Sequence, residues 1–472
     1  DLFIEEVGPD GCSVRSREGF EACELREEVI EVKGGEPVVE KVLVTPRGPV
    51  ISPAIEDEER AISLRALWLD PDPIGGTLLL HKATNFTEFR ECFRHWPALS
   101  LNVVWGDPGG KIGWQLAGDI PIRGAGNGSF PLPAWGEGVG WKDERVPFEE
   151  SPSLDDCSDG FIATANNPPT PVSDGAFLGV DFIDSYRVRR IREVLATRRD
   201  WDLPSTAALQ VDVDSIPWRE MKEQVLKVCE GDARLREAGE LLSSWDGAMK
   251  CDSAAAAVFE VMLSALCRRV AIAKAPRSAD YALGRGFIGV VPNGVMVVRR
   301  VSHLIRLLRE RPEGWFEGSW DEEIGAAVLE ALDELASRFG TSQADWSWGR
   351  LHSLVLEHPV GENKYLAPIF NRGPYPLSGD TNTILQSAVD PLKIDAPARF
   401  IPSLRMVVDV GEWDEARFVL PGGQSGNPLS PHYDDQLRYW LRGESLKLPF
   451  SDEAVDSATL STLRLAPEKD EA

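Results

Sequence analysis

Apolar and polar residues alternate with a period of two along the first part of the chain, as they do in β-strands that bury one face. Residues 29–33 and 37–45 show this alternation on either side of a Gly-Gly pair, and residues 102–115 show it around Asp-Pro-Gly-Gly. A glycine-rich turn between two alternating stretches is typical of a hairpin. The pattern therefore predicts two β-hairpins, with a helix over residues 87–96 between them that Asn85 caps.

A different strand signal is the short, largely apolar run at residues 161–165, which stops at Asn-Asn-Pro-Pro. Proline removes a ladder donor and keeps the residue before it extended, so the run predicts a buried strand that ends in a turn. The two amides, Asn166 and Asn167, then lie at the open end of a strand. Residues 184–192, a stretch rich in arginine, begin a helix. Taken alone, this segment is best interpreted as an Asn-rich turn beside a helix whose arginines pair with carboxylates.

The hydrophobic period lengthens to that of an α-helix from about Ile191 onwards. The most apolar of these stretches is interrupted by Glu260 and Arg268, so it ends before it could span a membrane. We interpret all of them as core helices. They are predicted over residues 205–214, 218–230, 233–242, 254–273 and 324–339.

Strand-like patterns return after Phe339, at residues 398–410 and 416–420, and a last helix is predicted to open at residues 432–436. These changes divide the chain into three segments. Residues 1–200 form a β-rich core, residues 201–345 are mainly helical, and residues 346–472 form a β/α segment that returns to the core. The fold class predicted is α+β.

Composition fits a soluble globular protein, with 43% hydrophobic and 27% charged residues in 472 positions. A formal charge of −26 argues against a nucleic-acid partner, because phosphates would have to approach an acidic field. No apolar run reaches the roughly 18 residues that a membrane span needs. The seven cysteines include no Cys-x-x-Cys pair, which disfavours a zinc cluster and a disulfide framework. One or two bridges, for example involving Cys12 and Cys23, stay open.

Other kinds of catalytic or binding site find little support. The glycines of residues 124–140 lack nucleotide-binding spacing, and the six histidines lack metal-ligand spacing. Residues 423–427 resemble the nucleophile elbow of a serine hydrolase but lack the second glycine at the required place. Ser425 with His432 and an aspartate is therefore the weaker alternative to a glycine-rich loop.

Short motifs are spread over nearly the whole chain. They are GFIATANN at 160–167 with YRVRRI at 186–191; NVVWGD at 102–107 with GDIPIR at 118–123; WDG at 245–247; WSWG at 346–349 with His352; SGD at 378–380 with Thr383; and GQSGN at 423–427 with SPHYDDQ at 430–436. In the same order, these stretches resemble the penicillin acylase family of N-terminal-nucleophile hydrolases. Each stretch is modest alone, and their collinearity makes the resemblance specific.

The resemblance implies a four-layer αββα sandwich, with a helical insertion, whose nucleophile is the first residue of the mature β chain. The α-amino group of that residue acts as its general base. Asn166 matches the family position whose amide donates to the oxyanion of the tetrahedral intermediate. Arg187 matches the family arginine close to the nucleophile, and Asn167 is expected to be structural. The implied activity is hydrolysis of an N-acyl amide to a carboxylic acid and an amine.

The sequence departs from the family at its start, because the nucleophile and the backbone oxyanion donor belong upstream of the segment that matches residues 1–6. Those residues have neither an initiator Met nor a signal peptide, so we interpret the chain as a truncated β chain, inactive alone, whose partner is the missing α chain of the same precursor. The family suggests a periplasmic or extracellular location. A catalytically dead homologue that binds acyl ligands or a partner is the alternative hypothesis.

The resemblance also implies a structural calcium ion. Asp1 matches a family calcium ligand, and Asp174 matches a second one with shifted spacing. Calcium prefers several carboxylate and carbonyl oxygens, which suits both residues. A surface-turn aspartate explains either position equally well. Arg47 stands before Gly48-Pro49, where the family commonly has histidine, and the sequence alone does not say what this changes.

Overall fold

The structure is a computed structural model that describes residues 1–52, 55, 60–70, 75–97, 99–170, 175–286, 300–398 and 400–466. The chain forms two compact units, each built from two sequence segments. Unit 1 consists of Asp1–Val188 and Ser264–Glu323, and unit 2 of Arg189–Leu263 and Ile324–Ala472. The three segments predicted from sequence follow secondary structure along the chain and group residues differently from these units.

Short β-strands occupy the chain up to Asp155 and recur from Ser353. Among the described residues they form sheets of two or three strands. The strands are β1 (Leu2–Glu5), β2 (Ser13–Arg15), β3 (Phe20–Ala22), β4 (Glu24–Ile30), β5 (Val38–Thr45), β6 (Gly48–Pro49), β7 (Ala61–Leu64), β8 (Leu101–Gly106), β9 (Ile112–Ala117), β10 (Pro121–Arg123), β11 (Leu132–Pro133), β12 (Trp141–Arg145), β13 (Ser153–Asp155), β14 (Ser353–Leu356), β15 (Arg372–Pro376), β16 (Arg405–Val407), β17 (Arg417–Val419) and β18 (Leu446–Lys447).

Helices fill most of the chain between Tyr186 and Leu351. None of the helices among the described residues is long and apolar enough to cross a membrane. They are α1 (Phe86–Glu91), α2 (Tyr186–Leu195), α3 (Leu203–Leu209), α4 (Ile216–Cys229), α5 (Ala233–Ser243), α6 (Ala254–Lys274), α7 (Ala279–Ala282), α8 (Arg300–Glu310), α9 (Trp320–Phe339), α10 (Trp348–Leu351), α11 (Ala367–Phe370), α12 (Leu437–Arg442) and α13 (Asp452–Ala458).

Strand β9 is the buried strand of unit 1. It pairs with β8 on one side and β13 on the other. Its residues alternate between two faces, and both faces are covered. Trp114 and Leu116 pack with Ile120 on one face, and Ala117 packs with Cys92 and Phe93 on the other. This explains why the sequence here is apolar at nearly every position rather than at every second one.

Three aromatic side chains pack together in the helical core of unit 2. Trp218 of α4 lies 5.2 Å from Trp245 and 5.6 Å from Phe259 of α6, measured between ring centroids. These tilted and edge-on contacts add to the free energy of burying such large side chains. Phe259 and Trp218 are almost fully buried, which fits the apolar period seen in the sequence.

Most predicted elements are confirmed, with shifted ends. Both hairpins form, as β4–β5 and β8–β9, and the side chain of Asn85 accepts the first-turn N–H of Glu88 at 2.9 Å. Helix α1 ends at Glu91, five residues early, because the following residues make tight i→i−3 turns before Pro97. The strands predicted at 398–410 and 416–420 form only at Arg405–Val407 and Arg417–Val419.

Two predictions are wrong. Residues 161–165 form no ladder, because their backbone groups bond locally: the Ala165 N–H donates to the side chain of Asn167, and the Phe161 carbonyl accepts from the Cys157 thiol. The helix predicted to be last begins at Leu437 and is followed by α13, which Ser451 caps. All seven cysteines are free thiols, so a Cys12–Cys23 bridge is not formed in this structure.

A buried histidine lies in a polar network of unit 2. His352 is fully buried and stacks on Trp348 with 4.6 Å between ring centroids. The Ser387 hydroxyl donates to the Ser378 carbonyl at 3.0 Å, so the imidazole Nε2–H must donate to that hydroxyl oxygen, 2.9 Å away. This arrangement holds a neutral imidazole, and burial lowers the pKa of His352 to about 4.

We expect the stability of unit 2 to fall in acid because of His352. In the unfolded chain the His352 side chain binds a proton below its ordinary pKa of 6.5. In the folded chain it binds that proton only near pH 4. From pH 7 to 5 this costs about 2 kcal/mol of unfolding free energy. Urea denaturation at both pH values measures the loss, and His352→Gln, which cannot titrate, should lack that part of it. Equal losses in the two proteins would contradict the assignment.

Candidate functional site

The turn at Asn166 has a strained and well-fixed backbone. Asn166 is exposed and has φ of 61°, a left-handed conformation that asparagine tolerates better than most residues. The side chain of Asn167 holds this turn, because its oxygen accepts the Ala165 N–H at 3.0 Å and its nitrogen donates to the Pro168 carbonyl at 2.7 Å. The Asn166 carbonyl accepts the Ile183 N–H at 3.0 Å. Asn167 is therefore structural, as the sequence predicted.

Arg187 orients the Asn166 amide. This residue lies in the first turn of α2, and its Nη2 donates to the Asn166 side-chain oxygen at 2.8 Å and to the Ala165 carbonyl at 3.0 Å. Because the guanidinium can only donate hydrogen bonds, the end of the Asn166 amide that faces it must be the oxygen. The NH₂ end of Asn166 then faces away from Arg187 and is the end that can donate to a ligand.

The environment of Arg187 differs from that of its neighbours on α2. Arg189 and Arg190 pair with Glu220 and Asp212, as the sequence predicted for this basic cluster. Arg187 bonds two neutral oxygens, and among the described residues it makes no ion pair. Its buried Nε has no hydrogen-bond partner there. Burial lowers the pKa of Arg187, although from a value so high that the side chain stays cationic.

The Asp184 carboxylate links the start of α2 to another helix of unit 1. Buried Asp184, two residues before α2, accepts the backbone N–H groups of Val301 and Ser302 at 3.1 and 3.2 Å, together with the Ser302 hydroxyl. These N–H groups belong to the first turn of α8, where a carboxylate is favoured. The sequence alone assigns Asp184 no role, because its partners lie more than 110 residues away along the chain.

Asp1 lies in a cluster of N–H donors. Arg123 donates to both of its carboxylate oxygens, at 2.8 and 2.9 Å, and the Trp141 indole donates at 2.7 Å. The Arg123 guanidinium therefore lies where a calcium ion bound by Asp1 would have to lie. These contacts of Asp1 do not fit a metal ligand. Asp174 lies outside the described residues. Within them, no three acidic, His or Cys side chains gather as a metal site requires. The calcium site stays a prediction.

Arg47, which departs from the family pattern, has a defined partner in unit 1. Its guanidinium donates to both oxygens of Glu5, at 2.7 and 2.8 Å, and the Glu5 side chain is fully buried. Glu5 also accepts the Ser63 hydroxyl at 2.6 Å and the Thr45 hydroxyl at 3.3 Å. Such a buried bidentate pair is stable only when both partners are present.

The serine-hydrolase alternative loses its nucleophile–base contact. His432 bonds Asp435 at 2.8 Å, but Ser425 meets His432 only through the backbone, with its N–H on the His432 carbonyl at 3.0 Å. The Ser425 hydroxyl accepts the Asn427 N–H at 3.1 Å. A base must lie within hydrogen-bond reach of the hydroxyl that it activates. This geometry is that of a glycine-rich loop.

Unit 1 therefore presents an exposed, oriented amide donor backed by a half-buried cation. Such a donor on a fixed turn suits an oxyanion, since it needs no reorganisation when negative charge develops on a bound carbonyl. Asn166 and Arg187, both predicted from the sequence as site residues, are hydrogen-bonded to each other. Asp1 is bound by Arg123 and Trp141, and Ser425 belongs to a glycine-rich loop.

Comparison with known proteins finds relatives over nearly the whole chain. A family model described as Penicillin amidase matches residues 1–457. The chain is 29% identical to the Penicillin acylase 2 proenzyme of Pseudomonas sp. (strain SE83), over 99% of this chain and 59% of that protein. It is 25% identical to the Acyl-homoserine lactone acylase QuiP of Pseudomonas aeruginosa, over 97% of this chain and 58% of that protein. The chain thus spans somewhat more than half the length of these relatives.

The fold is also that of a solved acylase. Thermostable Penicillin G acylase from Alcaligenes faecalis superimposes with a TM-score of 0.70, covering 99% of this chain and 86% of that chain at 20% identity. Identity at that level speaks for the fold alone, and it agrees with the mixed helix and strand content described above. The family match, in contrast, extends over nearly the whole sequence, and by it this chain belongs to the penicillin amidase family.

Proposed function

We propose that this chain carries the oxyanion-stabilising part of an N-terminal-nucleophile amidohydrolase, which hydrolyses an N-acyl amide to a carboxylic acid and an amine. The observation that carries the proposal is the Asn166 amide, which Arg187 holds by its oxygen so that its NH₂ group faces away from Arg187 and can donate to a ligand. Membership of the penicillin amidase family and relatives named as acylases support this reaction class.

In the proposed reaction a nucleophile outside residues 1–472 attacks the amide carbonyl, and the α-amino group of that same residue takes the proton. The carbonyl oxygen becomes an oxyanion next to Asn166, whose NH₂ group donates to it. One preorganised donor of this kind contributes about 2.7–4 kcal/mol to transition-state stabilisation. Arg187 keeps the amide in this orientation, and its positive charge, which makes no ion pair with the described residues, favours negative charge nearby.

The proposal extends to the architecture and the partner. A likeness to penicillin G acylase supports a four-layer αββα sandwich, and coverage of only 59% of the first relative supports completion by further parts of the same precursor, including an α chain. The substrate class is N-acyl amides, and β-lactam side chains and acyl-homoserine lactones are the two candidates that the relatives' names supply.

The test assays the full-length protein and the 472-residue chain in parallel, on penicillin G and on N-acyl-homoserine lactones of graded chain length. We expect the full-length protein to release the free acid from at least one substrate, and the 472-residue chain to release none. Turnover by the 472-residue chain alone would overturn the proposed external nucleophile. A processed full-length protein without turnover would favour the alternative, a catalytically dead acyl-binding homologue.

A further inference from the structure

The hairpin formed by Glu24–Ile30 (β4) and Val38–Thr45 (β5), here called the hairpin arm, is exposed to an unusual degree. Seven residue pairs join its strands, from Glu24 opposite Val44 to Ile30 opposite Val38. Every residue of β4 and the first four residues of β5 are exposed. At about 3.4 Å per residue the arm extends for roughly 20 Å. Among the described residues, a third strand supports it only at its base, where β6 pairs with Val44 and Thr45.

The outer half of the arm is apolar on both faces. Directly opposed residues share a face of a two-stranded ribbon, and successive residues alternate between faces. Val29 and Val39 form one apolar pair and are 60% and 51% exposed, and Ile30 and Val38 form another on the opposite face, 51% and 44% exposed. A soluble ribbon would turn a polar face to water. An uncovered two-stranded ribbon is marginally stable in water, so this one is suited to being covered on both sides.

The charged residues of the arm indicate what kind of surface would fit it. Glu28 lies directly opposite Glu40, on the face that also carries Ile30 and Val38. Like charges in such a pair destabilise a ribbon. On the other face, Glu27 pairs with Lys41 at 3.2 Å. The arm therefore suits a partner surface that is apolar with a Lys or Arg at the level of Glu28 and Glu40. A second copy of this chain suits it poorly, since it would bring two more carboxylates and a charge of −26.

We propose that the hairpin arm is a docking surface for a part of the same precursor that lies outside residues 1–472. The relatives supply a source for such a part, because this chain spans 59% and 58% of the length of the two compared above. The outer edge of β4 pairs with no strand among the described residues, so its backbone groups can also take up an added strand. The inference rests on the proposed completion by further parts of the precursor, but not on the proposed hydrolase activity, and its test reads no catalysis.

Hydrogen exchange, followed by mass spectrometry, compares the full-length protein with the 472-residue chain. We expect peptides from the arm to exchange at least tenfold more slowly in the full-length protein, because docking buries them. The hairpin β8–β9 is the internal control, since β9 is already buried on both faces, and its peptides should exchange equally in both proteins. Equal exchange of the arm in the two proteins would overturn the proposal, whether or not the full-length protein is active.

A charge introduced at the tip tests the same surface from the other side. In the full-length protein, Val29→Lys should at least triple the exchange rate of the β5 peptides and weaken retention of the remaining precursor parts in gel filtration. Val104→Lys on β8 is the matched control, because Val104 is also 60% exposed, and it should change neither. Equal effects of both substitutions would overturn the proposal. So would a dimer of the 472-residue chain, measured by light scattering, that Val29→Lys dissociates.

Discussion

Replacing Asn166 by glycine in the full-length protein should lower kcat for N-acyl amide hydrolysis by about 10²–10³, with little change in KM. Glycine suits this test because Asn166 has φ of 61°, which glycine adopts without strain. The substitution therefore removes the amide donor and keeps the turn. Because the lost interaction exists mainly in the transition state, the effect belongs in kcat. Steady-state kinetics on the best substrate of the panel measures it.

Asn166→Asp is the companion variant, since it keeps the size and the oxygen that Arg187 binds. It replaces the NH₂ donor by an oxygen and should lose at least as much activity as the glycine variant. Asn167→Asp keeps the acceptor for the Ala165 N–H and should retain most of the activity, because Asn167 acts only on the turn. An Asn166→Gly protein within threefold of the wild-type kcat would remove Asn166 from the reaction.

The sequence predicted Asn166 and Arg187 because a motif of the family lies around each of them. Their contact in the structure adds what no motif contains, namely which end of the amide faces outwards. The same stretch also shows where pattern fails. The run at 161–165 is as apolar as a buried strand, but the side chain of Asn167 and the thiol of Cys157 take hydrogen bonds that a ladder would need. Periodicity reports burial and says nothing about such local competition.

Long-range partners explain most of what the sequence could not predict about unit 1. The Asp184 carboxylate binds the first turn of α8, 117 and 118 residues away, and its sequence neighbours give no sign of this. Hairpins, helix periods and the Asn85 cap were predictable because their partners lie within a few residues. Helix α1 ends earlier than predicted because a run of tight turns follows it before Pro97.

Asp1 shows the limit of transferring a family role to one residue. The resemblance gives it a metal, and the structure gives it the Arg123 guanidinium and the Trp141 indole, which satisfy the same carboxylate. The Asn166 NH₂ group, in contrast, donates to no other group within the described residues, which fits the role transferred to it. A transferred role therefore gains or loses support according to whether the residue's functional atoms are already engaged.

Arg47→Ala should destabilise unit 1 by about 3–5 kcal/mol, because it leaves the Glu5 carboxylate buried without its countercharge. The Glu5 side chain has no solvent exposure, and the Ser63 and Thr45 hydroxyls that remain supply hydrogen bonds but no positive charge. Urea denaturation of the 472-residue chain at pH 7 measures the loss. The matched control is Arg26→Ala, whose partner Glu24 is 59% exposed, and it should leave the free energy of unfolding nearly unchanged.

Adding Glu5→Gln to Arg47→Ala separates charge from packing. A neutral amide at position 5 removes the buried charge and can still bond Ser63 and Thr45, so the double variant should regain a large part of the lost stability. If the double variant were no more stable than Arg47→Ala, the loss would come from missing packing of the arginine stem, and the charge account would be wrong. A recovery would show that an arginine is required at position 47 because the Glu5 carboxylate is buried beside it.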